Sequence, residues 1–233
     1  MNILILILGI VIILVLAWYI YNRYFSGVNT LTTGQVSLNT ATPITPVAVS
    51  QLTYPNATRY AYGVWIYVNS WNTNATKVIF SRNNDMIVYL DKMTGTLNCI
   101  ISPTNNNPDV ITQNGSNQSV VINITNNFPL QKWVYIVVNI DNTVVDVYLD
   151  GKMVKSLQIA QVSPDTTSPL YIGNGYDAVV TYLQRWSYAL DPQTVWNSYM
   201  NGNGSSLLSS INAYHGNLQI VQNNTVQGNY WVF

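Results

Sequence analysis

The chain opens on eighteen consecutive uncharged and almost wholly apolar residues, Ile3 to Ile20, a pattern that does not recur. As a helix rising about 1.5 Å per residue, this run covers roughly 27 Å, close to the hydrocarbon thickness of a bilayer. Trp18, Tyr19, Tyr21 and Tyr24 gather at its C-terminal end with Arg23 among them, the arrangement of an interfacial aromatic belt with an anchoring charge. A cleaved secretory signal fits less well, because no basic residue precedes the run and Trp-Tyr-Ile-Tyr stands where cleavage needs small residues. A buried core helix fits least, since the run is apolar on every face. The pattern predicts a transmembrane anchor over residues 1–25. Arg23, on the C-terminal side, favours a domain facing the cytosol.

Residues 26–59 break the pattern. They are uncharged until Arg59, rich in Thr, Ser, Asn, Gly and Pro, with scattered apolar positions. The expectation is a flexible linker of about thirty residues, averaging roughly 30 Å end to end and stretching to about 100 Å, with Val47-Ala48-Val49 β-prone enough for part of it to pair with a neighbour.

From Tyr60 the pattern becomes one of short β-prone runs between turn residues. Strands are predicted over 62–68, 77–81, 86–90 and 96–102, with Arg82-Asn83-Asn84-Asp85 as a turn. The run 133–140 turns at Asp141-Asn142 and returns as 144–149. Asp150-Gly151 then signals a two-residue hairpin, because both residues tolerate the positive φ of a primed turn. Strands follow over 170–173 and 178–186. Asp191-Pro192 offers an N-cap and an N1 proline for one short helix, which places Val195, Trp196, Tyr199 and Met200 on one face and ends at Gly202. Many short strands without a long amphipathic helix predict an all-β antiparallel sandwich over 60–202.

Composition sharpens this picture. Only 8% of residues are charged, and nine bases balance nine acids. Nothing in that balance attracts nucleic acid or an anionic surface over distance. The lone cysteine, Cys99 in an apolar run, rules out an intrachain disulfide and reads as a buried strand residue.

Four elements in order resemble the laminin G-like, concanavalin A-like jelly rolls of the lectin/glucanase superfamily. They are Gly63-Val64-Trp65-Ile66; Lys132-Trp133-Val134-Tyr135-Ile136-Val137 with Val147-Tyr148-Leu149-Asp150-Gly151-Lys152; Leu170-Tyr171-Ile172-Gly173; and Leu183 to Pro192 entering the helix. The resemblance implies a jelly roll of glycan-binding, hydrolytic or adhesive use. An uncleaved anchor beside such a domain, in an Asn-, Ile- and Tyr-rich chain poor in cysteine, resembles virion proteins of large DNA viruses with an internal membrane. That likeness implies a minor capsid protein in the virion inner membrane, its C-terminal domain facing the capsid, with the bilayer and capsid or other virion proteins as partners. The alternative is a membrane-anchored glycan-binding or adhesion module.

The inventory of reactive groups argues against an enzyme. Glycosidases of this fold use paired glutamates. Here all nine acids are aspartates. Asp146 and Asp150 form the nearest pair, and edge and turn positions explain both. His215, the single histidine, supplies no triad, and one His with one Cys does not make a zinc site. Asp85, Asp109 and Asp177 are loop positions that calcium could use, without a ligand spacing that singles them out. No catalytic residue, metal or cofactor is therefore assigned. Seven Asn-x-Ser/Thr sequons, at Asn56, Asn74, Asn114, Asn117, Asn123, Asn203 and Asn223, matter only for a luminal domain. Trp65, Trp133 and Trp186 read as core. Residues 203–233 form an appendix ending in Tyr230-Trp231-Val232-Phe233, too apolar to be left in water. It is expected to dock on its own sandwich as an added strand or on a neighbouring subunit.

Overall fold

The computed structural model describes residues 3–24, 27–39, 44–102, 108–109, 119–160, 162, 164, 166–173, 175–204, 217–222 and 225–231; the side chains of residues 3–7, 20, 22–24 and those beyond 204 are not described. Helix α1 covers Ile3–Tyr24. The described side chains of α1 are those of residues 8–19 and Tyr21. Among described residues, no helix is long and apolar enough to cross a membrane, although the helical backbone itself continues through 22 residues.

Two antiparallel sheets follow. The larger has seven strands in the order β1-β12-β3-β8-β9-β10, with β2 also on β12. These strands are β1 (Val28–Thr30), β2 (Val36–Ser37), β3 (Arg59–Val68), β8 (Trp133–Asp141), β9 (Val144–Leu149), β10 (Lys152–Gln158) and β12 (Ala178–Trp186). The smaller runs β11-β4-β5-β6-β7, built from β4 (Lys77–Arg82), β5 (Met86–Leu90), β6 (Leu97–Ile101), β7 (Val120–Thr125) and β11 (Leu170–Ile172). The period-two alternation sorts each strand between two faces. Tyr62, Val64, Ile66 and Val68 of β3 and Val134, Ile136, Val138 and Ile140 of β8 turn inward onto Met86, Val88, Leu90, Leu97, Cys99 and Ile101 of the smaller sheet, all buried. The Cys99 thiol is buried there and its pKa is pushed up by desolvation, so it is inert packing. Asp150 and Gly151 both take positive φ between the paired Leu149 and Lys152, the primed two-residue turn the sequence predicts.

The expected linker is a correction. Its described residues belong to the sandwich. Val28, Asn29 and Thr30 pair with Trp186, Arg185 and Gln184, and Val36 and Ser37 pair with Val180 and Val179. Leu38 is wholly buried, Val47 bridges Leu170, and residues 49–51 form a 3-10 turn. Two buried arginines of the sheets complete the attachment. Arg185 donates to the carbonyls of Thr53 (2.6 Å) and Tyr54 (3.1 Å), and Arg82 donates to that of Pro55 (2.9 Å). Hydrogen bonding joins the burial of Leu38 and Leu52 in holding the segment: β12 offers an open edge, and the guanidinium groups need acceptors inside the fold.

The appendix goes another way. Among described residues β13 (Asn217–Gln222) and β14 (Thr225–Trp231) pair only with each other, as a two-stranded sheet of their own. It is therefore not an added strand of the sandwich. Tyr230 and Trp231 sit in β14 opposite Leu218 and Asn217, while Val232, Phe233 and His215 lie outside the described residues.

Candidate functional site

The outer face of the larger sheet carries a second core. Alternation sends Ala61 and Trp65 of β3, Tyr135 and Val137 of β8, Tyr148 of β9 and Trp186 of β12 to the side away from the smaller sheet. Helix α2 (Pro192–Met200) covers them. Its start is fixed by Asp191, whose carboxylate accepts from the Thr194 N–H, with Pro192 in the first turn. Asn139 of β8 holds the approach, accepting from Leu190 N–H (2.8 Å) and donating to Leu190 C=O (3.2 Å). Val195 is buried, and Tyr199 stacks on Trp65 at 5.5 Å, which stacks in turn on Tyr135 at 5.0 Å. Trp196 and Met200, expected on the buried face, are more open: Trp196 lies over Gly151 and Met200 is 64% exposed.

A bulge in β12 shapes the remainder of this face. Its register with β3 shifts between Thr181 and Gln184, and Tyr182 takes φ +47, a costly backbone for a bulky residue that a bulge uses to re-aim a side chain. The opposite edge respects the same break: Leu31 and Thr32 both donate N–H to Leu183 C=O, and Thr32 Oγ1 accepts from Leu183 N–H. Tyr182 thereby meets the chain leaving α2, where Gly204 lies so near its ring that a Cβ would collide with it.

Between these parts is a recess of about 300 Å³, lined by Trp65, Tyr135, Tyr182, Gln184, Trp186, Ser198, Asn201, Gly202 and Gly204. No charged side chain lines it. Trp65 stacks with both Tyr135 and Tyr199, whose rings also stack on each other at 6.5 Å, whereas Tyr182 and Trp186 stack on no other ring among described residues. The Tyr135 hydroxyl is buried without a hydrogen-bond partner at normal distance. Burial pushes its pKa up, and Ser198, near enough to oppose part of that effect, does not reach it as a proper bond. Gln184, Ser198, Asn201 and this phenol offer both donors and acceptors.

The sandwich interior holds a different polar cluster. Asp85 accepts from Tyr60 and from Tyr62 (2.9 Å), and pairs with Arg82 at 3.1 Å, every side chain fully buried. Arg185 lies over both tyrosine rings. Burial and Asp85 raise the pKa of both phenols, so they act as donors rather than acids. With one carboxylate, already saturated, this cluster is structural. Asp85, a loop candidate for calcium, is committed here. Asp109 instead accepts from Thr76, and Asp177 from Asn69 and Ser70; the three are not brought together, and no metal-ligand group occurs among described residues. Asp150 accepts from Tyr135 N–H and pairs with Lys132, while Asp146 sits in β9 opposite Asn139.

Trp65 and Trp186 are buried as expected, with Trp133 half-buried. Trp18, Tyr19 and Tyr21 are exposed on α1; Arg23 and Tyr24 belong to its last turn. The lining residues Tyr182, Gln184, Ser198 and Asn201 escape sequence reasoning. Ser198 and Asn201, three apart across the end of a helix, were the legible signal; the bulge was not.

A family model described as the concanavalin A-like lectin/glucanases superfamily, of laminin G type, matches residues 32–204, well over half of the chain. No curated protein matches. Solved structures that the chain matches include the binding domain of botulinum neurotoxin DC in complex with SialylT, at 13% identity and TM-score 0.46, covering 62% of this chain and 36% of that one. Another is botulinum neurotoxin type C, in a structure titled for its interaction with two ganglioside molecules, at 14% identity and TM-score 0.46, covering 61% of this chain and 35% of that one. The chain thus spans little more than a third of these proteins.

Proposed function

We propose, from the premise that this chain belongs to the concanavalin A-like lectin/glucanase superfamily, that it is a membrane-held, non-catalytic binding protein whose outer-face recess takes one ring of a neutral glycan. The chemistry of the recess carries the reading. Two aromatic walls not stacked on other rings, Tyr182 and Trp186, stand beside Gln184, Ser198, Asn201 and an unpartnered buried phenol, with no charge among them. Hydroxyl-rich rings need such mixed donors and acceptors beside an apolar face. An anionic sugar would find no counter-charge. Hydrolysis would need two carboxylates about the scissile bond, and none lines the recess. Helix α1, with Trp18, Tyr19, Tyr21, Arg23 and Tyr24 at its end, holds the protein in the bilayer as a single-pass anchor.

The test is binding of the detergent-solubilised full chain to immobilised neutral and acidic glycans. Binding to a neutral class, lost in Gln184→Ala and Asn201→Ala with melting unchanged, supports the reading. Retention of acidic glycans alone, or none at all, removes it.

A second reading rests on Arg23, which favours a cytosolic domain, and on the exposure of Trp196 and Met200 on α2. It is the structural one: a virion protein linking an internal membrane to capsid or other virion proteins. Sequons Asn56, Asn74 and Asn123 are exposed, so a mass loss on enzymatic deglycosylation would mark an exoplasmic domain and favour the glycan reading. An unmodified protein that stays with detergent-stripped native particles would favour the structural one.

A further inference from the structure

The join between α1 and the sandwich fixes more than attachment. Only two residues separate Tyr24, the end of α1, from Gly27. Three peptide steps reach at most about 11 Å, so no tether of linker length exists. Gly27 is itself gripped: its carbonyl accepts from Ser187 N–H (2.8 Å) and Ser187 Oγ (3.0 Å). Its φ is +64, and a Cβ there would lie 2.6 Å from Ser187 Oγ. Val28 then pairs directly with Trp186.

The register says which end of the sandwich this is. Trp186 pairs with Ala61, Ala61 with Asn139, and two rows further Arg59 pairs with Asp141. The Asn142-Thr143 turn closes that end, and Asn142 is tied to Thr58 through its N–H (3.1 Å) and side chain. The 54–58 loop is therefore at the same end, as is Tyr188. Tyr54 (68%), Tyr188 (42%) and Val144 (38%) are exposed beside Asn56 and Asn142. The exposed charges at this end are Arg59 and Asp141, which pair at 2.8 Å, and the N-cap Asp191, whose carboxylate helps burial to push the Tyr188 phenol up. Tyr54 is presented rigidly, at φ +47 with its carbonyl bound by Arg185. Tyrosines among polar neighbours are what a headgroup layer accommodates.

We infer that this end of the sandwich, comprising the 54–58 loop, the Asn142-Thr143 turn and Tyr188, rests on the headgroups of the bilayer that α1 enters. The inference rests on the reading of α1 as a membrane anchor. The recess spans the middle of the sheet, with Trp186 and Gln184 toward the lipid side and Trp65 and Tyr135 beyond them.

Cys99 is fully buried, so single introduced cysteines label cleanly. Asn56→Cys and Asn142→Cys probe the proposed contact, and Asn74→Cys, in the loop after β3 at the other end, is the control. Each full chain carries a fluorophore in phosphatidylcholine vesicles containing a lipid with a nitroxide headgroup. Flotation with the vesicles is scored first; a chain that does not float refutes the anchor, and this inference with it. Given flotation, the expected result is several-fold stronger quenching at 56 and 142 than at 74, falling to the level of 74 when thirty Gly/Ser residues are inserted between Ser26 and Gly27. Equal quenching at both ends, or stronger quenching at 74, overturns the contact while leaving the anchor intact. Both near-end probes serve because Asn142 has bonds to lose, whereas Asn56 is exposed.

Discussion

The segments on either side of the jelly roll behave in opposite ways. Residues 27–58 are polar and short of strand signals, yet they carry two edge strands, a wholly buried Leu38 and three carbonyls held by Arg82 and Arg185. Residues 217–231 hold a like share of apolar residues, six of fifteen against twelve of thirty-two, yet among described residues their strands pair only with each other. Apolar content alone does not separate the two. What decides attachment is whether the folded sheets present unpaired edges and buried donors that only that segment can satisfy.

The sharpest way to break this contrast is Leu38→Ala. If 27–58 were a tether, the change would cost nothing; as core, it should cost about 2–5 kcal/mol in chemical denaturation. Next comes Arg185→Met, which strips the acceptors Thr53 and Tyr54 of a charged donor. It should cost about 1.5–3 kcal/mol and raise proteolysis within 49–58 before the rest unfolds; unchanged cleavage there would deny the clamp.

Alkaline pH probes the same cluster without mutation. Tyr60 and Tyr62 have folded pKa values raised by burial and by Asp85, against about 10 in the unfolded chain. The native state thus holds protons the unfolded state releases. Their contribution is complete below pH 10 and is lost as pH climbs above it. Urea midpoints should be flat to about pH 9.5 and fall beyond, and Tyr62→Phe should reduce the slope. The smallest effect is expected from removing 217–233, which should move the melting temperature of the sandwich scarcely at all. A clear drop would show that the hairpin is bound to it after all.

Much of the fold was legible because its signals are local. Asp150-Gly151 names its own turn, Asp191-Pro192 its own helix start, and the 62–68 and 133–140 alternations their own faces. Val28–Thr30 and Val36–Ser37 were not legible, because two- and three-residue strands exist only by virtue of the edge of β12. Val120–Thr125 was missed for a related reason, as an edge strand next to asparagine-rich sequence. The paired tyrosines 60 and 62, two apart and facing inward, carried a hint that a buried acceptor must exist; Asp85 in a turn gave no sign of being it. The recess was least legible. It depends on the non-local meeting of a bulge at Tyr182 with Gly204 and the last turn of α2.

The recess as ligand site is the central claim, and its own tryptophans report on it. The full chain, with fluorotryptophan at its seven tryptophan positions and each resonance assigned by single Trp→Phe exchange, can be titrated in lipid nanodiscs with a neutral oligosaccharide that it retains. Resonances of Trp65 and Trp186, which line the recess, should shift in a saturable manner while Trp71, Trp133 and Trp196 hold still. Saturable shifts at Trp71, Trp133 or Trp196 with Trp65 and Trp186 unmoved would place binding elsewhere and contradict the account.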